Sequence, residues 1–127
     1  MKKKDIVNRA DIEILVNNFY DKVRKDDLIG LMFDHVDWTK HLPLMYDFWD
    51  NVLFHTGNYT GNPMEKHMMA HARNPMTAVH FDRWLYLFYE TVDEGYSGNK
   101  TQLIKERAKS IAIIMQIKLF GNELFIK

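Results

Sequence analysis

The chain has 127 residues, 46% of them apolar, which suits one domain with a single core burying about 65–70% of the unfolded surface. Lys+Arg and Asp+Glu both number 17, so net charge favours neither nucleic acid nor an anionic membrane as partner, and the leading MKKK reads as a solvated end. There is no cysteine, which excludes disulfides, thiolate metal ligands and covalent cofactor attachment through a Cys-x-x-Cys-His motif.

The longest aliphatic run, IAIIM at 111–115, is far short of the roughly 20 residues of a membrane span. No apolar signal-peptide core follows the first lysines, and a cytoplasmic location is the expectation. Residues 1–127 are expected to form one domain with its core at about 10–120.

In chain order, Ile12, Leu15, Val16, Phe19, Tyr20 and Val23 follow the i, i+3, i+4, i+7 rhythm, so Ala10 to Lys25 is expected as a helix with one buried face. KDDLIGLMF offers Asp26 or Asp27 as an N-cap and about two turns of apolar residues, a short helix ending near Phe33. A second long stripe runs through Leu42, Met45, Phe48, Trp49 and Val52, with His41 on the same side. Pro43 is costly beyond a first turn, so that helix is expected to begin near Thr39 to His41.

FHTGNYTGN is a turn region with two glycines and two asparagines. Asn62, Pro63 and Glu65 then read as N-cap, first helical residue and acidic third residue of a short helix that carries His67 and His71. Phe81, Trp84, Leu85, Phe88 and Val92 define a third long amphipathic helix. A last one, from about Lys100 to Phe120, is expected to bury Ile104, Ala108, Ile111, Ile114 and Met115. The reading is all-α, with no strand signal, repeat or low-complexity tract.

His67 and His71 share a helix face. Such a pair can be solvated or held in the core, and it can hold zinc when one or two further ligands join it; the neighbouring Glu65 is better explained as part of the cap. Tyr20, His41 and Trp84 shift the balance. Each has an apolar body and a hydrogen-bonding tip, each lies on the buried stripe of a different helix, and together they suit a polar ligand in an apolar pocket. A single one of them would be read as core packing.

Five segments in order, FYDKV (19–23), LIGLMF (28–33), WTKHLPLMYDFW (38–49), GNPMEKH (61–67) and HFDRWLYLFYETV (80–92), resemble the truncated haemoglobins, most closely their third group. The likeness runs from about Ile12 to Phe120, and the glycine pairs typical of the other two groups are missing. It implies a shortened globin fold, a two-over-two helical sandwich around a non-covalent haem b. Residue by residue, it assigns His67 as the proximal iron ligand, with Tyr20, His41 and Trp84 on the distal side, where His41, beside Pro43, could stabilise a ligand, gate the pocket or bind iron itself. Phe33 matches the phenylalanine packed on the haem ring. Met45, Phe48, Trp49, Met64 and Phe88 would wall the pocket, an assignment that rests mainly on stripe position. Lys40, Lys66 and Arg73 are cationic candidates for the haem edge.

The resemblance also sets the functional alternatives. Oxygen, nitric oxide and carbon monoxide are the implied ligands of a five-coordinate iron, and donors directed at the bound gas stabilise the charge it gathers. Two or three neutral hydrogen bonds, each worth about 0.5–1.5 kcal/mol, slow release, which suits redox chemistry on the gas better than free delivery. Nitric oxide dioxygenation and peroxide handling are the candidate reactions, and both need a separate reductase. The alternatives are oxygen binding, storage or sensing without turnover, and a helical interaction module that holds no haem.

Overall fold

In the computed structural model the described residues are 3–34, 36–57 and 77–125, with side chains as far as residue 118. Four long helices carry the fold: α1 (Arg9–Lys25), α2 (Trp38–Phe54), α3 (Ala78–Gly95) and α4 (Asn99–Phe125), with a 3-10 turn at Gly30–Phe33 between α1 and α2. No strand occurs among the described residues. The expected short helix at 62 onwards, with Met64, His67 and His71, lies outside them.

Side chains that absorb free amides set the helix starts. The Asp11 amide donates to Asn8 Oδ1 at 3.0 Å ahead of α1, and the Thr39 amide donates to Asp37 Oδ1 at 3.2 Å ahead of α2. This second cap starts α2 at Trp38, one residue before the expected range, and Pro43 is taken up inside the helix. The Thr77 amide donates to His80 Nδ1 at 2.9 Å at the head of α3.

The cap of α4 comes from the other end of the chain. The Lys100 and Thr101 amides and the Thr101 hydroxyl all donate to the Asp5 carboxylate at 2.8 Å. A Cβ built on Gly98 would stand 2.6 Å from Asp5 Cγ, so only glycine lets the N-terminal strap approach. The strap is tied down further by the Ser97 amide, which donates to the Lys4 carbonyl at 2.9 Å, and by Lys4 Nζ on Asp11 at 2.7 Å.

Helices α1 and α2 pack together, as do α3 and α4, and the two pairs are joined where α1 meets α3 and α2 meets α4. This is the expected two-over-two arrangement. Its core takes the whole predicted face of α1, namely Ile12, Leu15, Val16, Phe19, Tyr20 and Val23, with Met45, Trp49 and Leu53 from α2 and Phe88 and Val92 from α3.

One expectation for α4 fails. Ile104, Ala108, Ala112 and Met115 are buried, whereas Ile114 is 49% exposed. Steps of four, four and three keep the first set on one stripe; Ile114, about 100° round from Met115, turns off it. At the 3-10 turn a Cβ on Gly30 would stand 2.9 Å from the Arg24 carbonyl, so this glycine permits the fold-back after α1.

Candidate functional site

Tyr20 lies near the C-terminal end of α1, where helical spacing turns it with Phe19 into the core; only 3% of its surface is exposed. The two rings touch with centroids 4.9 Å apart. Burial pushes the Tyr20 phenol well above its ordinary range, so it stays a neutral O–H donor.

His41 reaches Tyr20 from α2, one turn after the Asp37 cap. The ring centroids are 5.5 Å apart with planes at 82°, and the His41 Nε2 atom is fully enclosed. Phe33, at the end of the 3-10 turn, meets Tyr20 edge-on at 6.3 Å. Trp84, half-buried on α3, sets its ring at 82° to Phe19 with centroids 5.5 Å apart.

The apolar bed continues from there. Trp84 stacks on Phe88 at 5.7 Å, Phe88 on Trp49 at 5.0 Å, and Phe48 meets Trp49 edge-on at 5.0 Å. Met45 is buried in the same cluster. Tyr20, His41, Trp84, Phe33, Phe48, Trp49 and Phe88, seven residues singled out from the sequence, thus form one connected run of rings through Phe19. Trp49 and Phe88 are sealed at 2% and 0% exposure, so they pack the deep end of the run.

Ion pairs fix the frame. Arg83, next to Trp84, donates to Asp26 Oδ1 at 2.8 Å. The other oxygen of Asp26 accepts the Leu28 and Ile29 amides at 3.1 and 3.0 Å, which shapes the turn that delivers Phe33. Burial alone would raise the Asp26 carboxyl; the bonds from Arg83 and the two amides hold it below the usual carboxylate range. One carboxylate therefore couples the Trp84 helix to the Phe33 turn. The sequence offers Asp26 or Asp27 as a cap and gives no sign of Arg83, because the Asp26–Arg83 pair spans the fold.

Sequence reading also gave no role to Trp38. It contacts Tyr20 at 5.1 Å, His41 at 5.4 Å and Phe33 at 6.2 Å. The signal was present, since Trp38 stands three residues before His41 and shares its helix face. Met64 and His67, assigned to the wall and the iron, lie outside the described residues, as do Lys66 and Arg73; Lys40 is exposed on α2.

The arrangement is an aromatic bed with hydrogen-bonding tips from three helices on it, which suits a flat apolar group carrying a small polar ligand. That is the chemistry of a haem with a diatomic gas, and Tyr20 supplies the test: a buried, neutral phenol in ring contact with His41 has the O–H donor such a ligand needs.

A family model described as bacterial-like globin matches residues 5–117. The group 3 truncated hemoglobin ctb of Campylobacter jejuni is 32% identical over 124 residues, covering 93% of this chain and 95% of the relative. The crystal structure of a group III truncated hemoglobin from Campylobacter jejuni superimposes with a TM-score of 0.82 at 32% identity, covering 93% of this chain and 95% of that one.

Proposed function

Because the chain belongs to the group III truncated haemoglobins, a globin family whose members bind diatomic gases at haem, we propose that it holds a non-covalent haem b and uses a polar distal pocket to retain oxygen for redox chemistry. When bound, haem supplies an iron centre that coordinates the gas and exchanges electrons.

Everything else is the work of the chain. His67 would hold the iron through its neutral imidazole. Tyr20, His41 and Trp84 would direct O–H and N–H groups at the gas, while Phe33, Met45, Phe48, Trp49, Met64 and Phe88 would exclude water and pack the macrocycle. The observation that carries this reading is the buried Tyr20 phenol in ring contact with His41. In a dry pocket a neutral donor of this kind stabilises charge at a fixed point without reorganising.

Such retention favours reaction over delivery. Nitric oxide dioxygenation is the first candidate: nitric oxide and oxygen become nitrate, and a separate reductase must return one electron per turnover. Peroxide handling, with His41 or Tyr20 moving the proton, is the second. No described helix is long and apolar enough to cross a membrane, and we place the activity in the cytoplasm.

The test is nitric oxide consumption by purified, haem-loaded protein with oxygen and a reductant. Consumption well above that of free haem, reduced in Tyr20→Phe, supports dioxygenation. A rate equal to free haem removes it and leaves gas binding without turnover.

A further inference from the structure

Trp38 opens α2, and its indole touches three distal rings: Tyr20 at 5.1 Å with planes 50° apart, His41 at 5.4 Å and 83°, and Phe33 at 6.2 Å and 33°. A groove of about 540 Å³ opens beside it, lined in part by Arg24, Asp26, Leu31, Phe33 and Val36. A ring at the wall of an open groove lacks close packing on that side and is free to tilt. Arg24 supplies the missing contact, its guanidinium 5.0 Å from the Trp38 ring centroid. Arg24 is itself fixed at both ends, donating to Asp21 Oδ1 at 2.7 Å and to the Tyr20 carbonyl at 3.4 Å.

We propose that Trp38, clamped by Arg24, is a positioning residue for gas retention, holding the Tyr20 phenol and the His41 imidazole at the angle from which they donate. The proposal rests on the functional reading above. Trp38 touches both donors and supports Phe33 as well, so a tilt of the indole moves both hydrogen-bonding tips together. Arg24 sets that tilt from the surface, with 40% of its side chain exposed.

Haem-loaded Trp38→Ala, Trp38→Phe and Arg24→Gln are compared with the unaltered chain by oxygen dissociation in stopped flow and by the C–O stretching frequency of the carbon monoxide complex. Loss of about one neutral hydrogen bond in Trp38→Ala speeds dissociation about three- to tenfold and moves the C–O band to higher frequency. Trp38→Phe keeps a ring and stays within about twofold, and Arg24→Gln moves both readouts the same way by a smaller amount. Combined with Tyr20→Phe and His41→Leu, Trp38→Ala adds nothing, because the donors it positions are gone.

An unchanged rate and band in Trp38→Ala overturns the proposal, as does an effect that persists undiminished in the combined variant, which would make Trp38 a packing residue only. Should Trp38→Ala fail to fold, an Arg24→Gln protein identical to the unaltered chain in both readouts overturns it. Failure of the functional reading looks different: the unaltered chain then gives no carbon monoxide-sensitive spectrum at all.

Discussion

The edge of the Tyr20 ring meets His41 with centroids 5.5 Å apart and planes at 82°, joining the end of α1 to the first turn of α2. Two hydrogen-bonding groups are held side by side on an aromatic bed by ring packing. The donors are therefore separable by mutation. Tyr20→Phe, which keeps the ring and its contacts, is expected to speed oxygen dissociation about two- to tenfold without lowering the melting temperature. Stopped-flow displacement by carbon monoxide measures it; an unchanged rate removes Tyr20 from the retaining set.

Asp26 bonds to Arg83 and to two amides of the Phe33 turn. Its replacement by alanine leaves those amides without their acceptor and is expected to cost about 1–3 kcal/mol in urea unfolding. Arg83→Ala leaves the amide contacts in place and should lower the midpoint less. Equal losses would mean the ion pair carries all of the effect.

Acid should destabilise the fold with a defined sign. Burial would raise the carboxyls of Asp5, Asp11 and Asp26, and in each the bonds they accept outweigh it and hold the native pKa below the ordinary 3.8. The unfolded chain then binds protons first as pH falls, so the stabilisation is full above about pH 5 and is lost progressively below 3.8 as the native pKa values are passed. Melting temperatures from pH 7 to 3 test this. Asp5→Asn, which cannot titrate, is expected to show a shallower acid decline; an identical slope would exclude Asp5.

Two glycines give opposite outcomes. Gly98 has φ +141° and no room for a Cβ beside Asp5, so Gly98→Ala is expected to cost about 1–3 kcal/mol or more. At Gly95 a Cβ meets nothing within 4 Å, and Gly95→Ala should be neutral or stabilise by about 0.4–1 kcal/mol. Thermal melting of both variants distinguishes a steric requirement from general glycine content.

Helical periodicity made the four helices and the buried face of α1 readable, because a stripe of Phe19, Tyr20 and their neighbours records burial directly. It also placed Tyr20, His41 and Trp84 on separate inward faces. What it could not carry is contact between distant segments: Asp5 caps a helix 95 residues further along, and Arg83 finds Asp26 across the fold. The Ile114 error has a different source, since a broad run of isoleucines in α4 conceals which stripe points inward. Trp38 was legible and passed over, because its importance lies in what its ring touches and not in a donor of its own.

Haem binding through His67 with an accessible distal side is the proposal on which every functional prediction above depends. The most direct measurement is the absorption spectrum of the purified protein in ferric, dithionite-reduced and carbon monoxide-bound states, set against His67→Ala. A strong Soret band that shifts with carbon monoxide, lost with stable haem binding in His67→Ala, is the predicted result. No Soret band after haem addition would contradict the account, and haem retained in His67→Ala but lost in His71→Ala would reverse the proximal assignment.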